Sequence, residues 1–118
     1  MNDPAQTGAR AAAGRLVAEY GRQLPADVER ALHLRDAPQR PDQYFDPASL
    51  GGLIVSIATL AWTVYTDLKQ QTPAPAIDVI ARAVRVRLDH NSNLNPDQQE
   101  HIIDVTVEET VRAGIDAS

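Results

Sequence analysis

The chain has 118 residues, of which 43% are hydrophobic and 23% charged, and this composition is typical of one globular domain. Its net charge of −5 argues against nucleic acid as the main partner, because binding to phosphates needs a cationic surface. The absence of cysteine excludes a disulfide framework, a thiolate nucleophile and a Cys-type zinc site. The N-terminus lacks the basic start and apolar run of a signal peptide, so we expect a cytoplasmic protein.

The N-terminal part, residues 1–36, predicts two helices. Apolar residues recur at helical spacing over about 8–24, with charged residues on the other face. Pro25 then suits the first turn of a second, short helix that ends before Ala37.

A Pro-rich connector, 37–46, joins this part to the core region, 47–118. Proline fixes φ and removes a backbone donor, so we expect an extended segment here rather than a helix or a strand. The connector contains Tyr44 and Phe45, which either pack onto the core or form a docking arm for a partner. The sequence leaves both possibilities open, and the two aromatic residues are candidate interaction residues.

The centre of the chain predicts one long apolar helix over 47–71. Asp46-Pro47 is a helix start, with an N-cap acid before a proline, and no charge occurs from 47 to 66. Large and small apolar residues follow at alternating steps of four and three, which is the spacing of a helix packing face. We refer to these positions as the central stripe: Leu50, Ile54, Ile57, Ala61, Val64 and Leu68.

The central stripe also bears on function. The helix offers more apolar circumference than short, Ala-rich neighbours can readily cover, so we expect self-association or docking on a partner protein through the stripe. The alternative is a membrane span, since twenty uncharged residues match the thickness of a bilayer and Trp62 and Tyr65 lie near one end. No cluster of Lys or Arg flanks the run, however, which favours a buried helix in a bundle.

Two further helices follow. Over 76–89, Ile77, Ile80, Val84 and Leu88 form an apolar stripe, although the alternation at 84–88 also suits a short strand. A last helix begins near Pro96 and is expected to run to about Gly114, a common helix terminator. The chain as a whole therefore predicts an all-α fold, a single-domain bundle of about five helices around the central one.

Residues 89–100 resemble the calcium loop of an EF-hand in the placing of their oxygen ligands. The loop departs from that pattern at Leu94, where the sharp turn requires glycine, and at Pro96, where an apolar residue normally pairs with a second hand. We expect a polar turn before the last helix, with no bound metal and no cofactor; calcium binding is the alternative. The candidate ligands would be Asp89, Asn91, Asn93, Asn95, Asp97 and Glu100.

No arrangement of residues predicts catalysis. Asp97, His101, Asp104 and Glu108 share one helical face, but such a row is usually a solvated surface. The serines lack a nucleophile-elbow context, and no Gly-rich loop could bind phosphates. We therefore expect a protein that is not an enzyme.

Two stretches, 49–68 and 78–88, carry a resemblance to known proteins: SLGGLIVSIATLAWTVYTDL and DVIARAVRVRL. They resemble small uncharacterised proteins of high-GC bacteria that are encoded beside effector enzymes of defence or conflict systems. The two stretches lie within a span of about 40 residues, 49–88, and they contain no diagnostic catalytic motif. It implies a non-enzymatic adaptor or regulator that contacts other proteins.

Overall fold

The structure, a computed structural model, describes residues 3–36, 50–88 and 96–117. Within these ranges all regular secondary structure is helical, which confirms the all-α prediction. Residues 84–87 complete a helix, so the strand considered there does not form. The five helices are α1 (Pro4–Tyr20), α2 (Leu24–Asp36), α3 (Leu50–Lys69), α4 (Ile77–Arg87) and α5 (Pro96–Ala117).

Helix α1 begins and ends at clear local signals. The Asp3 side chain accepts a hydrogen bond from the backbone N–H of Ala5 at 3.0 Å, and Pro4 occupies the first turn. The helix ends at Gly21, whose φ of 108° lies in the region that favours glycine. The helix predicted over 8–24 therefore starts and ends four residues earlier.

Helix α3 is the centre of the bundle, because it contacts each of the other four helices. The helix predicted over 47–71 forms over Leu50–Lys69; residues 70–71 form a turn instead, and 47–49 lie outside the described residues. All five helices contribute buried residues to one hydrophobic cluster. The N-terminal helix pair thus belongs to the same core as α3, α4 and α5.

The most extensive helix–helix contact of the described residues is that between α1 and α5, which run antiparallel. Gly8 of α1 lies against Thr110 of α5, and Glu19 near the end of α1 meets His101 near the start of α5. A Cβ atom added to Gly8 would lie only 2.5 Å from the Cα atom of Thr110. Small residues make this approach possible: the buried face of α1 consists of Ala5, Gly8, Ala9, Ala12, Ala13 and Leu16.

Helix α5 is longer than predicted. It continues to Ala117, so Gly114 does not terminate it. Gly114 is buried against the ring of Trp62 on α3, and a Cβ atom there would collide with that ring. The glycine therefore provides room for an aromatic side chain within the helix and does not end the helix.

Candidate interaction surface

The central stripe lies inside the folded chain. Ile54, Ile57 and Ala61 are completely buried, Val64 is 3% exposed, and Leu50 and Leu68 at the two ends are partly buried. The stripe therefore forms part of the core of the single chain, and contact of the stripe with a partner stays a prediction.

The stripe is buried because the neighbouring helices cover α3 closely. Each alanine of α1 buries little area, which predicts poor cover. Their small size instead lets the backbones of α1 and α5 approach closely, so that four helices fit around α3. Leu60 and Trp62, on the flank of α3, are partly buried against the same core.

Helix α3 also bears on the membrane alternative. Among the described residues it is the one helix that is long and apolar enough to cross a bilayer. However, 56% of that apolar segment is buried inside the chain by the other helices. A core helix of a helical bundle passes the same test of length and composition.

Several predicted site residues lie outside the described residues: the connector aromatics Tyr44 and Phe45, and the loop residues Asp89, Asn91, Asn93 and Asn95. The two remaining candidate metal ligands, Asp97 and Glu100, are exposed at the start of α5. Glu100 forms an ion pair with Arg85 of α4 at 3.1 Å. In the described part of the chain, no group of three or more His, Asp or Glu residues could hold a metal ion.

The charged row on α5 is largely engaged in joining helices. His101 Nε2 lies 3.3 Å from a carboxylate oxygen of Glu19, and Arg15 of α1 donates to Glu108 at 3.1 Å and to Glu109 at 2.8 Å. The hydrogen bond to Glu109 raises the pKa of the Arg15 guanidinium. Since the Glu109 side chain is only 10% exposed, this pair closes the edge of the α1–α5 contact.

Of the four large apolar side chains that are exposed among the described residues, Ile115 lies on α5, and Ile77, Val79 and Val86 lie on α4. Ile80, Ala81 and Val84 of α4 face the core and are buried. On the opposite side, Val79 is 45% exposed and Val86 is 79% exposed, with the half-buried Ala83 between them. We refer to Val79, Ala83 and Val86 as the outer stripe; its steps of four and three residues place it on one face of the helix.

Arginines border the outer stripe. Arg82 and Arg87 are exposed, and at about 100° per residue they project on opposite sides of the stripe. Arg85 lies on the side that faces α5, where it pairs with Glu100. Helix α4 thus presents an apolar strip between cationic side chains.

The comparisons with known proteins add no family. No family model, curated protein or solved structure matches this chain. The function is therefore inferred from the fold and its surface.

An open cleft of about 280 Å³ lies between Arg85 of α4 and the first turns of α5, on the side of α4 that faces α5. Ile103 and Pro96 contribute apolar walls, and Arg85, Gln99 and Glu100 contribute polar ones. The Arg85 Nε atom is buried at this junction and has no hydrogen-bond partner among the described residues.

The predicted apolar stripe of α4 corresponds to its inner face, and the outer stripe was not predicted. Ile80 and Val84 are predicted to be apolar contacts because they continue a regular stripe with Ile77 and Leu88. A second stripe with the same spacing is formed by Val79, Ala83 and Val86. This spacing is the sequence signal from which the outer stripe could be predicted. On an eleven-residue helix, two apolar stripes on opposite sides indicate that one of them is not covered by the core.

Proposed function

We propose that this protein is a non-catalytic accessory module that acts by binding a partner protein through α4. The outer stripe is the observation that supports this proposal. Single apolar residues on a surface are ordinary, but apolar residues at steps of four and three have the spacing by which one helix packs on another. The resemblance to accessory proteins encoded beside effector enzymes points to the same class of function.

Self-association is a second form of the proposal. The central stripe, from which self-association is expected, is buried in the single chain. A homo-oligomer would therefore have to use another surface, and α4 carries Val86, which at 79% has the highest exposed fraction of the large apolar side chains in the described residues. Docking on a different protein is the form that we favour, for reasons of charge that are given below.

A membrane-anchored accessory protein is the alternative function, and the length and composition of α3 favour it. Insertion of α3 into a bilayer would remove α1, α2, α4 and α5 from the helix that they all contact. Carbonate washing of a membrane fraction distinguishes the two functions, because a peripheral or soluble chain is released and an inserted one is retained.

The proposed function is tested by recovering partners from the protein's own cells with matched variants. Val79→Gln combined with Val86→Gln removes the apolar character of the outer stripe, and Ile115→Gln, at a position 56% exposed on α5, is the control. Because these side chains are exposed, circular dichroism should show folded proteins in all cases. We expect the double variant to lose a partner that the wild type and the control retain. Identical recovery with all three proteins, or no partner with the wild type, would contradict the proposal.

A further inference from the structure

We infer that the partner segment bound by α4 is an acidic amphipathic helix, with apolar residues at every third or fourth position and Asp or Glu beside them. The inference rests on the proposed function, because it names the partner of the same surface. It follows from the charge of α4, from the shape of its exposed face, and from the poor fit of a second copy of this chain to that face.

The charge of α4 is opposite to that of the rest of the chain. The helix contains three arginines and one aspartate, a net charge of +2, whereas the whole chain carries −5. The remaining residues therefore carry −7. An acidic segment is attracted to α4 and repelled by most of the other surface, so the charge distribution selects both the partner and its place of contact.

The geometry of α4 favours a helix as the acidic element. Val79 and Val86 are seven residues apart, which places them about 10 Å from each other along one face. Apolar side chains of a partner helix recur at the same interval and can pack along this strip. Carboxylates beside those apolar positions would then reach Arg82 on one side and Arg87 on the other.

A second copy of the chain does not supply such an element among the described residues. The acidic face available is that of α5, which exposes Asp97 and Asp104. From Asp97 to Arg112 every exposed position of α5 is polar or charged, and the first exposed apolar residue is Ile115. The carboxylates of that face can pair with the arginines of α4, but the face has no apolar side chains that could pack on the valines. An anionic membrane surface fits poorly as well, because the chain as a whole is anionic.

The contact should be weak. Helix α4 has eleven residues and is about 16 Å long, so one helix face buries well below the roughly 800 Å² per partner of a standard interface. We expect a dissociation constant on the order of 100 µM, rising severalfold when salt increases from low to high concentration.

The test uses the full chain and two synthetic, side-chain-stapled helical peptides that share the same leucine positions. One peptide has glutamates beside the leucines, and the other has lysines. Titration is followed by fluorescence anisotropy of the labelled peptide and by the NMR shifts of α4 backbone amides. We expect the glutamate peptide to bind at least tenfold more tightly than the lysine peptide, with shifts centred on α4.

Variants separate the contributions. Arg82→Glu combined with Arg87→Glu should weaken binding of the glutamate peptide at least tenfold and strengthen binding of the lysine peptide. Arg22→Glu, at an exposed position between α1 and α2, should change neither. Equal binding of both peptides, or no binding of the glutamate peptide at millimolar concentration, would overturn the inference.

Two other outcomes would also overturn it. One is concentration-dependent dimerisation in light scattering that the Val79→Gln/Val86→Gln variant abolishes, since the occupant would then be a second copy. The other is binding to anionic vesicles that the same variant abolishes. If cellular partner recovery depends on the valines but not on Arg82 and Arg87, the proposed function holds and the acidic-helix inference fails.

Discussion

The α1–α5 contact makes a sharp prediction, because two glycines on the same helix have opposite surroundings. Gly8 faces α5, where an added Cβ atom would lie 2.5 Å from the Cα atom of Thr110. Gly14 is exposed, and nothing lies within 4 Å of the corresponding position. The same change, glycine to alanine, should therefore destabilise the fold at Gly8 and stabilise it at Gly14.

The magnitudes can be worked out from these distances. Alanine within a helix is favoured over glycine by about 1 kcal/mol, a gain that both sites receive. At Gly8 the new methyl group meets both the side chain and the Cα atom of Thr110, and the backbone atom cannot move aside alone. Helix α1 must therefore shift outward by roughly 1 Å, at a cost of about 2–3 kcal/mol. We expect a net loss of about 1–2 kcal/mol for Gly8→Ala and a gain of about 0.5–1 kcal/mol for Gly14→Ala.

Urea unfolding followed by circular dichroism measures both variants against the wild type. A shift of the midpoint without a change in slope would show that the native state alone is affected. Thermal unfolding should agree, at about 4 °C per kcal/mol for a domain of this size. If Gly8→Ala stabilises the protein as much as Gly14→Ala does, α1 does not lie against α5 as described here.

Three further predictions concern the core and one titrating group. Ile57→Asp places an unpaired carboxylate at a completely buried position, so the helical signal should be lost at a cost of several kcal/mol; a folded variant would refute the burial of the central stripe. Thr106→Val removes a fully buried hydroxyl that has no hydrogen-bond partner among the described residues, and we expect about 1 kcal/mol of added stability in urea. Thr63→Val should bring no gain, because the exposed Thr63 hydroxyl donates a hydrogen bond to the carbonyl oxygen of Thr59 at 3.0 Å. A loss of about 1 kcal/mol of stability in Thr106→Val would instead mean that the Thr106 hydroxyl forms a hydrogen bond. Burial, with the charge of Glu19, raises the pKa of Tyr20 in the folded chain above its ordinary 10.0. The neutral Tyr20 side chain therefore contributes its full stabilisation below the unfolded pKa, and this stabilisation is lost as pH rises through the folded pKa. Above about pH 10 the free energy of unfolding of the wild type should fall relative to that of Tyr20→Phe. Parallel curves of stability against pH would contradict the assignment.

The elements of the fold could be predicted because local signals agree with one another. The central helix was visible from its uncharged run and its regular stripe, and the starts of later helices from proline and acid residues. The pair Asp3-Pro4 has the same pattern, and the structure shows that it does cap α1. The apolar periodicity of this region begins only at about residue 8, after the Asp3-Pro4 cap. A prediction based on the periodicity therefore displaces the helix by four residues.

The packing could not be predicted from the same signals. Whether Gly8 is a weak point in a helix or the site of a close helix contact depends on Thr110, which lies about a hundred residues away in sequence. Gly114 presents the same difficulty, because only the position of Trp62 shows that the glycine makes room rather than ends a helix. Contacts between distant segments decide these cases, and one sequence does not contain them.

The burial of the central stripe has a physical explanation. No charge interrupts the stripe, and a long uncharged face is strongly driven to be buried, so the chain's own helices bury it during folding. A surface that the folded chain offers to a partner must also be compatible with water before the partner arrives. That condition favours small apolar strips bordered by charges over large uncharged ones. Val79, Ala83 and Val86, placed between Arg82 and Arg87, meet it, and Ile54, Ile57 and Ala61 do not. In a small helical bundle, the shorter amphipathic helix is therefore a better candidate for recognition than the most hydrophobic one.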